Sequence, residues 1–136
     1  PEEISELKNH LSQKLQPLLK AIKTFNPTGL VGASGTFDTL TDMYFESILQ
    51  CKLTGPHVFE LPCDDFNSIY RDLLSKNHEE RMAIPGMIPM RADMIVVAAT
   101  LIDFILQLIP IRSITCSHYA LKEGAISRLL IAEQTA

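Results

Sequence analysis

Apolar residues at Ile4, Leu7, Leu11, Leu15, Leu18, Leu19 and Ile22 recur every three or four positions, which predicts an amphipathic helix over residues 1–25. Pro1, Glu2 and Glu3 suit its positive N-terminal end. Pro17 lies in its interior, where the missing N–H and the ring clash cost about 3 kcal/mol, so a kink is expected there. "NPTG" (26–29) reads as a turn and "LVGAS" as a short buried strand. Residues 36–49 return to helical spacing, with Phe37, Leu40, Tyr44, Phe45 and Ile48 to one side. "HVFELP" (57–62) alternates like a short strand or an extended arm. Asp64 or Asp65 is placed to cap a helix whose inward face carries Phe66, Ile69, Tyr70, Leu73 and Leu74. A short helix around 78–83 and the proline-rich link "IPGMIPM" lead to "RADMIVVAATLIDFILQLI", which is apolar nearly all round and is expected at the centre. "SITCS" (113–117) is a second short strand, and "YALKEGAISRLLIAEQ" a closing helix. The order helix, strand, helix, helix, helix, strand, helix predicts an α/β fold, helix-rich with few strands.

Composition narrows the class. A chain of 136 residues fits one domain and buries roughly two thirds of its unfolded-state surface. Apolar residues make up 46% and charged residues 21%, with a net charge of −4, so nothing calls for a nucleic-acid partner. The longest apolar run, 94–111, is broken by Asp103 and Gln107 and ends at Pro110 and Ile111, which suits a buried helix rather than a membrane span. No basic start with an apolar signal core precedes it, and cytoplasmic location is expected. Cys51, Cys63 and Cys116 are odd in number and widely spaced, which argues for free thiols in a reducing compartment rather than a disulfide framework or zinc site. The chain opens on Pro1 rather than Met, which reads as a piece cut from a longer protein.

Three stretches carry candidate chemistry. In "GASGT", Gly32, Ala33, Ser34, Gly35 and Thr36 link a strand to a helix, the arrangement that brings backbone N–H groups and a helix dipole up to an anion. Gly32 and Gly35 permit close approach and positive φ, and Ser34 and Thr36 add hydroxyls. The loop is neither a Walker loop nor a GxGxxG fingerprint, and Ser34 or Thr36 acting as a plain N-cap is the competing reading. In "MRADM", Asp93 stands at the expected start of the long helix and Arg91 two residues before it, either as cap and neighbouring ion pair or with Arg91 as an anion contact. In "CSHYALKEG", His118 follows a strand at the end of the sheet where α/β proteins place ligands, with Lys122 and Glu123 in the first turn of the next helix. No nucleophile–base set is assembled by spacing. His10, His57 and His78 follow no metal-ligand spacing, and "HEER" is not HExxH, so no metal ligands and no catalytic residues are assigned.

In order and separation, "GASGTFDTL", then "HEER" leading through "IPGMIPMRADMIVVAATLIDFIL", then "ITCSHYALKEGAI" resemble the exopolyphosphatase/guanosine pentaphosphate phosphatase (Ppx/GppA) family, whose patterns run GxSGT, "eeR…RAD" and a strand followed by "gLReG". Ala98 and Ala99 stand where many members have a glycine, and His118 and Tyr119 where an acidic–basic pair is common. The resemblance implies the actin-like, sugar-kinase and Hsp70-like superfamily, with residues 1–136 as the later part of the second of two RNase H-like domains. By the same resemblance the first domain and the opening strands of the second, with the catalytic Glu, the metal ligands and a "GGGS"-like loop, lie outside this chain. It implies hydrolysis of a terminal phosphoanhydride of polyphosphate or of a guanosine nucleotide (pppGpp), with Mg²⁺ in the intact parent and none held by this piece. Gly32, Ala33, Ser34, Gly35, Thr36, Arg91, His118 and Lys122 become the phosphate- or nucleotide-binding candidates. The piece alone is expected to be inactive, and the alternative is a non-catalytic nucleotide-binding or interaction module of the same superfamily. "LVGAS" without its expected neighbour strand presents an uncovered edge, so a homo-oligomer is expected.

Overall fold

The structure, a computed structural model, describes residues 2–52 and 57–134, with side chains described up to residue 131. Pro1, expected at the first helical position, lies outside the described residues. The first helical pattern is divided into α1 (Glu2–Lys14) and α2 (Gln16–Phe25). The break falls at Leu15, two residues before Pro17, whose ring is tolerated only in the opening turn of a helix. Asn26, in the left-handed conformation, closes α2.

Among the described residues three strands form one sheet in the order β1 (Leu30–Ala33), β3 (Ser113–Ser117), β2 (Val58–Pro62). β1 runs parallel to the central β3, and β2 runs antiparallel to it. "HVFELP" is therefore a third strand rather than an arm, held across β3 by Glu60, which accepts from Ser113 (2.6 Å) and Thr115 (2.5 Å). These bonds hold the Glu60 carboxyl below its ordinary value. The expectation of a buried "LVGAS" is corrected: Gly32 is buried, whereas Val31 is 70% exposed on a strand whose outer edge has no partner among the described residues.

Helix α3 (Gly35–Met43) follows β1 and widens into a π-helical turn, Tyr44–Ile48, where Tyr44 stacks on Phe59 at 6.3 Å and Phe45 meets Phe59 edge-on. Helix α4 (Cys63–Ser75) starts after Pro62, so neither Asp64 nor Asp65 caps it; both lie in its first turn, where the helix dipole favours them. Leu74 is exposed rather than inward. Helix α5 (His78–Met82) carries a reciprocal capping box between Asn77 and Glu80. A 3₁₀ turn, Pro89–Arg91, precedes α6 (Ile95–Leu106), and α7 (Leu121–Gln134) closes the described chain.

Leu40, Met43, Leu61, Phe66, Leu73, Ile95, Ala99 and Ile114 form the heart of the core, where α3, α4 and α6 meet the sheet. Cys116 is buried there, and desolvation pushes its thiol up to about 12. Helix α6 is central on one side only: Met94 and Val97 are exposed and border an apolar groove of about 440 Å³ with Leu11, Met90 and Leu101. Among the described residues no helix is long and apolar enough to cross a membrane.

Asp103 is buried in α6 and takes hydrogen bonds from Lys8 of α1 (2.7 Å) and from Gln107 (3.0 Å). Replacing Lys8 by Met leaves that carboxylate without its cation, and a loss of about 2 kcal/mol in unfolding free energy is expected by urea titration at neutral pH. The hydrogen bond to Asp103 raises Lys8 above 10.5. Its contribution is therefore complete below that value and fades as pH climbs through the raised one, so the gap between Lys8→Met and wild type should narrow in strong alkali.

Candidate anion-binding cleft at the carboxyl end of β1 and β3

Parallel pairing of β1 with β3 brings the first and third candidate segments together. Ala33 is in register with Ser117, so the next residues, Ser34 and His118, leave neighbouring strands side by side at the same end of the sheet. Each then turns into a helix, α3 and α7, and the two turns wall an open cleft of about 630 Å³. Ser34, Gly35, Arg91, His118 and Lys122 line it, together with Asp38. Thr36 lies on the adjoining apolar groove, which also shares Arg91. Gly32 and Ala33 stay in β1 and line neither space; the ring of Phe37 covers Gly32 where a Cβ would stand.

The loop's backbone differs from the expectation. The positive φ falls on Ser34 (φ 71°, ψ −178°) and not on either glycine of the motif. Ser34 occupies the N-cap position of α3, yet its side chain makes no capping bond there. That conformation is all but reserved for glycine and costs a side-chain-bearing residue on the order of 1–3 kcal/mol. Ser34→Gly should accordingly raise the urea-derived unfolding free energy by about 1 kcal/mol, and an unchanged or lowered value would contradict the strain.

Arg91 supplies the clearest electrostatic signal. It is carried in by turns after α5, with Met87 and Ala92 buried on either side as anchors and its own N–H bonded to Ile88 O (2.8 Å). Its guanidinium lies directly on Gly35: a Cβ built there would meet Nη2 at 1.6 Å, so a glycine is required for the approach. The residues opening α3 have N–H groups with no partner inside the helix, and the dipole makes that end positive. A half-buried cation is thus set against a positive helix end, and Arg91 joins none of the ion pairs among the described residues.

Asp93 is corrected on both counts. It lies before α6, not in its first turn, and it meets His78 Nδ1 (2.6 Å) instead of Arg91. Glu123 accepts from the Ala120 N–H (2.8 Å), which lowers its carboxyl, and lies 3.3 Å from Lys122, leaving Lys122 exposed at the cleft rim. Asp38 received no role from the sequence. Its Oδ1 is 2.9 Å from His118 Nδ1, and the signal that would have found it is the strand register that sets α3 beside His118.

These features define an α/β protein with an actin-like fold and a cationic cleft at the carboxyl ends of parallel strands, the position at which open α/β sheets take ligands. The sequence model of the Ppx/GppA phosphatase family matches residues 1–133, and the chain belongs to that family. It is 40% identical to an exopolyphosphatase from Cytophaga hutchinsonii, whose crystal structure superposes with a TM-score of 0.89 over 97% of this chain and 43% of that one. A Ppx/GppA family member from Aquifex aeolicus matches with a TM-score of 0.75 at 19% identity, over 97% of this chain and 42% of that one. The chain thus spans less than half the length of the solved structures it resembles. No curated protein matches it.

Proposed function

We propose that this chain is the phosphate-holding wall of an exopolyphosphatase that removes terminal phosphates from inorganic polyphosphate. The observation that carries the reading is the Arg91 guanidinium, which has no carboxylate partner among the described residues and rests on the positive end of α3. A phosphate between them turns two mutually repelling positive groups into a shared anion site. The 40% identity to a protein named as an exopolyphosphatase supports polyphosphate as the substrate; guanosine pentaphosphate is the other family substrate, and the assay below separates them.

In this reading the opening N–H groups of α3 and Arg91 hold the terminal phosphate, while Ser34 and Lys122 contact it or the next one along and His118 stands beside them in the cleft wall. Water attacks the terminal phosphorus, the anhydride P–O bond breaks, and the shortened chain leaves with the bridging oxygen. Charge accumulates on non-bridging and leaving oxygens, so fixed donors and cations are what the chemistry needs. The donor set lining the cleft does not suit a divalent cation: it is mainly cationic, and its one described carboxylate, Asp38, faces His118. The ligands for Mg²⁺ and the carboxylate that positions water belong instead to the rest of a longer, cytoplasmic parent, of which this chain is the later part of the second domain. The outer edge of β1 is where that remainder, or a second copy of the chain, adds a strand.

The test is phosphate release from polyphosphate and from guanosine pentaphosphate with Mg²⁺, by this chain and by a full-length parent. Release from polyphosphate by the parent and none by the chain is expected. A parent that binds but never turns over would favour a non-catalytic binding module, and turnover by the chain alone would contradict this division of labour.

A further inference from the structure

Asp38 is the described carboxylate that lines the cleft with Arg91 and Lys122, yet it is turned to His118 and not to either cation. His118 is fixed by its place: it follows β3, and its backbone N–H is bonded to His57 O at 2.8 Å. Asp38 sits on a flexible side chain in the first turn of α3, close to the same positive helix end that the anion would use. The contact is close but out of line for a hydrogen bond, and Oδ1 of Asp38 and Nε2 of His118 are shut off from solvent with no other partner among the described residues. We propose that His118 is a positioning residue that latches Asp38 away from Arg91, so that the chain's own carboxylate does not occupy the site meant for phosphate. This rests on the anion-site reading above and adds its regulation: an unlatched Asp38 is an internal competitor. The groups facing His118 are Asp38 and Asp42 from α3, His57 ahead of β2 at a ring distance of 6.5 Å, and Tyr119 beside it, with Arg91 and Lys122 across the cleft.

The experiment measures inorganic tripolyphosphate binding to the chain by calorimetry, with thermal melts to verify folding. His118→Ala should weaken binding about tenfold, the scale of coupling between contacting residues. Asp38→Asn should bind at least as tightly as wild type, and His118→Ala with Asp38→Asn should recover wild-type affinity to within about threefold. Asp38→Glu, whose longer arm reaches past His118, should weaken binding without any change at His118. A double variant as weak as His118→Ala would mean that the imidazole contacts phosphate directly, and a full-affinity His118→Ala or Asp38→Glu would mean that no competitor exists; each overturns the latch while leaving the anion site standing. Wild type that fails to bind overturns both.

Discussion

Arg91→Ala should reduce tripolyphosphate affinity, and parental phosphate release, by about a hundredfold, the usual cost of removing one charged or oxyanion-directed donor from a preorganised site. The stability readout separates this from a folding defect. The guanidinium pairs with no carboxylate among the described residues and lies against the positive end of α3, so its removal relieves repulsion. Unfolding free energy should therefore hold steady or rise by up to about 0.5 kcal/mol. Arg91→Lys should restore only part of the affinity, because an ammonium is a point charge without the planar fork. A variant that loses stability in step with affinity would assign Arg91 a structural role instead.

Gly86→Ala is expected to be the most damaging change to stability, at about 3 kcal/mol in urea unfolding. Gly86 adopts φ +81°, where a Cβ costs roughly 1–2 kcal/mol. That Cβ would also stand 2.4 Å from the carbonyl carbon of Asp42 and 2.5 Å from the Met43 nitrogen, which are backbone atoms that cannot swing aside. The link between α5 and α6 is seated on α3 at this point, helped by Ser47 donating to Pro85 O (3.1 Å). A shift here moves Arg91, five residues on, away from Gly35. Anion affinity should fall along with stability, in contrast to the stability-neutral loss at Arg91, and a fully stable Gly86→Ala would show that the link is not pinned there.

The helices were legible because their apolar spacing answers to one face each. Pro17 marked the α1–α2 break through its missing donor, and Phe66, Ile69, Tyr70 and Leu73 marked the buried face of α4. What periodicity could not show was pairing. β2 looks like an arm until Glu60 is seen bridging Ser113 and Thr115 from the other strand. Start points were also hidden: α6 begins at Ile95 because the residues from Pro89 to Arg91 close a 3₁₀ turn, which strips Asp93 of its helix-start role. At the cleft, residue types left each position open between a structural role and an anion contact. The family resemblance made Ser34, Gly35, Arg91, His118 and Lys122 candidates along with Gly32, Ala33 and Thr36, which do not line it. The meeting of those that do depends on the parallel register of β1 with β3, a long-range contact with no local signature. Asp38 was overlooked for the same reason. The strain at Ser34 was invisible because glycines on either side looked like its natural bearers.

Titrating the ¹⁵N-labelled chain with tripolyphosphate at neutral pH addresses the central claim most directly. Saturable shifts should be largest at the Gly35 and Thr36 amides and at Arg91 Nε, with smaller ones at His118 and Lys122. Shifts confined to another cationic surface, such as the polar groove holding Lys8 and Arg71, or no saturable shift at Gly35, Thr36 and Arg91, would contradict the assignment of this cleft as the phosphate wall.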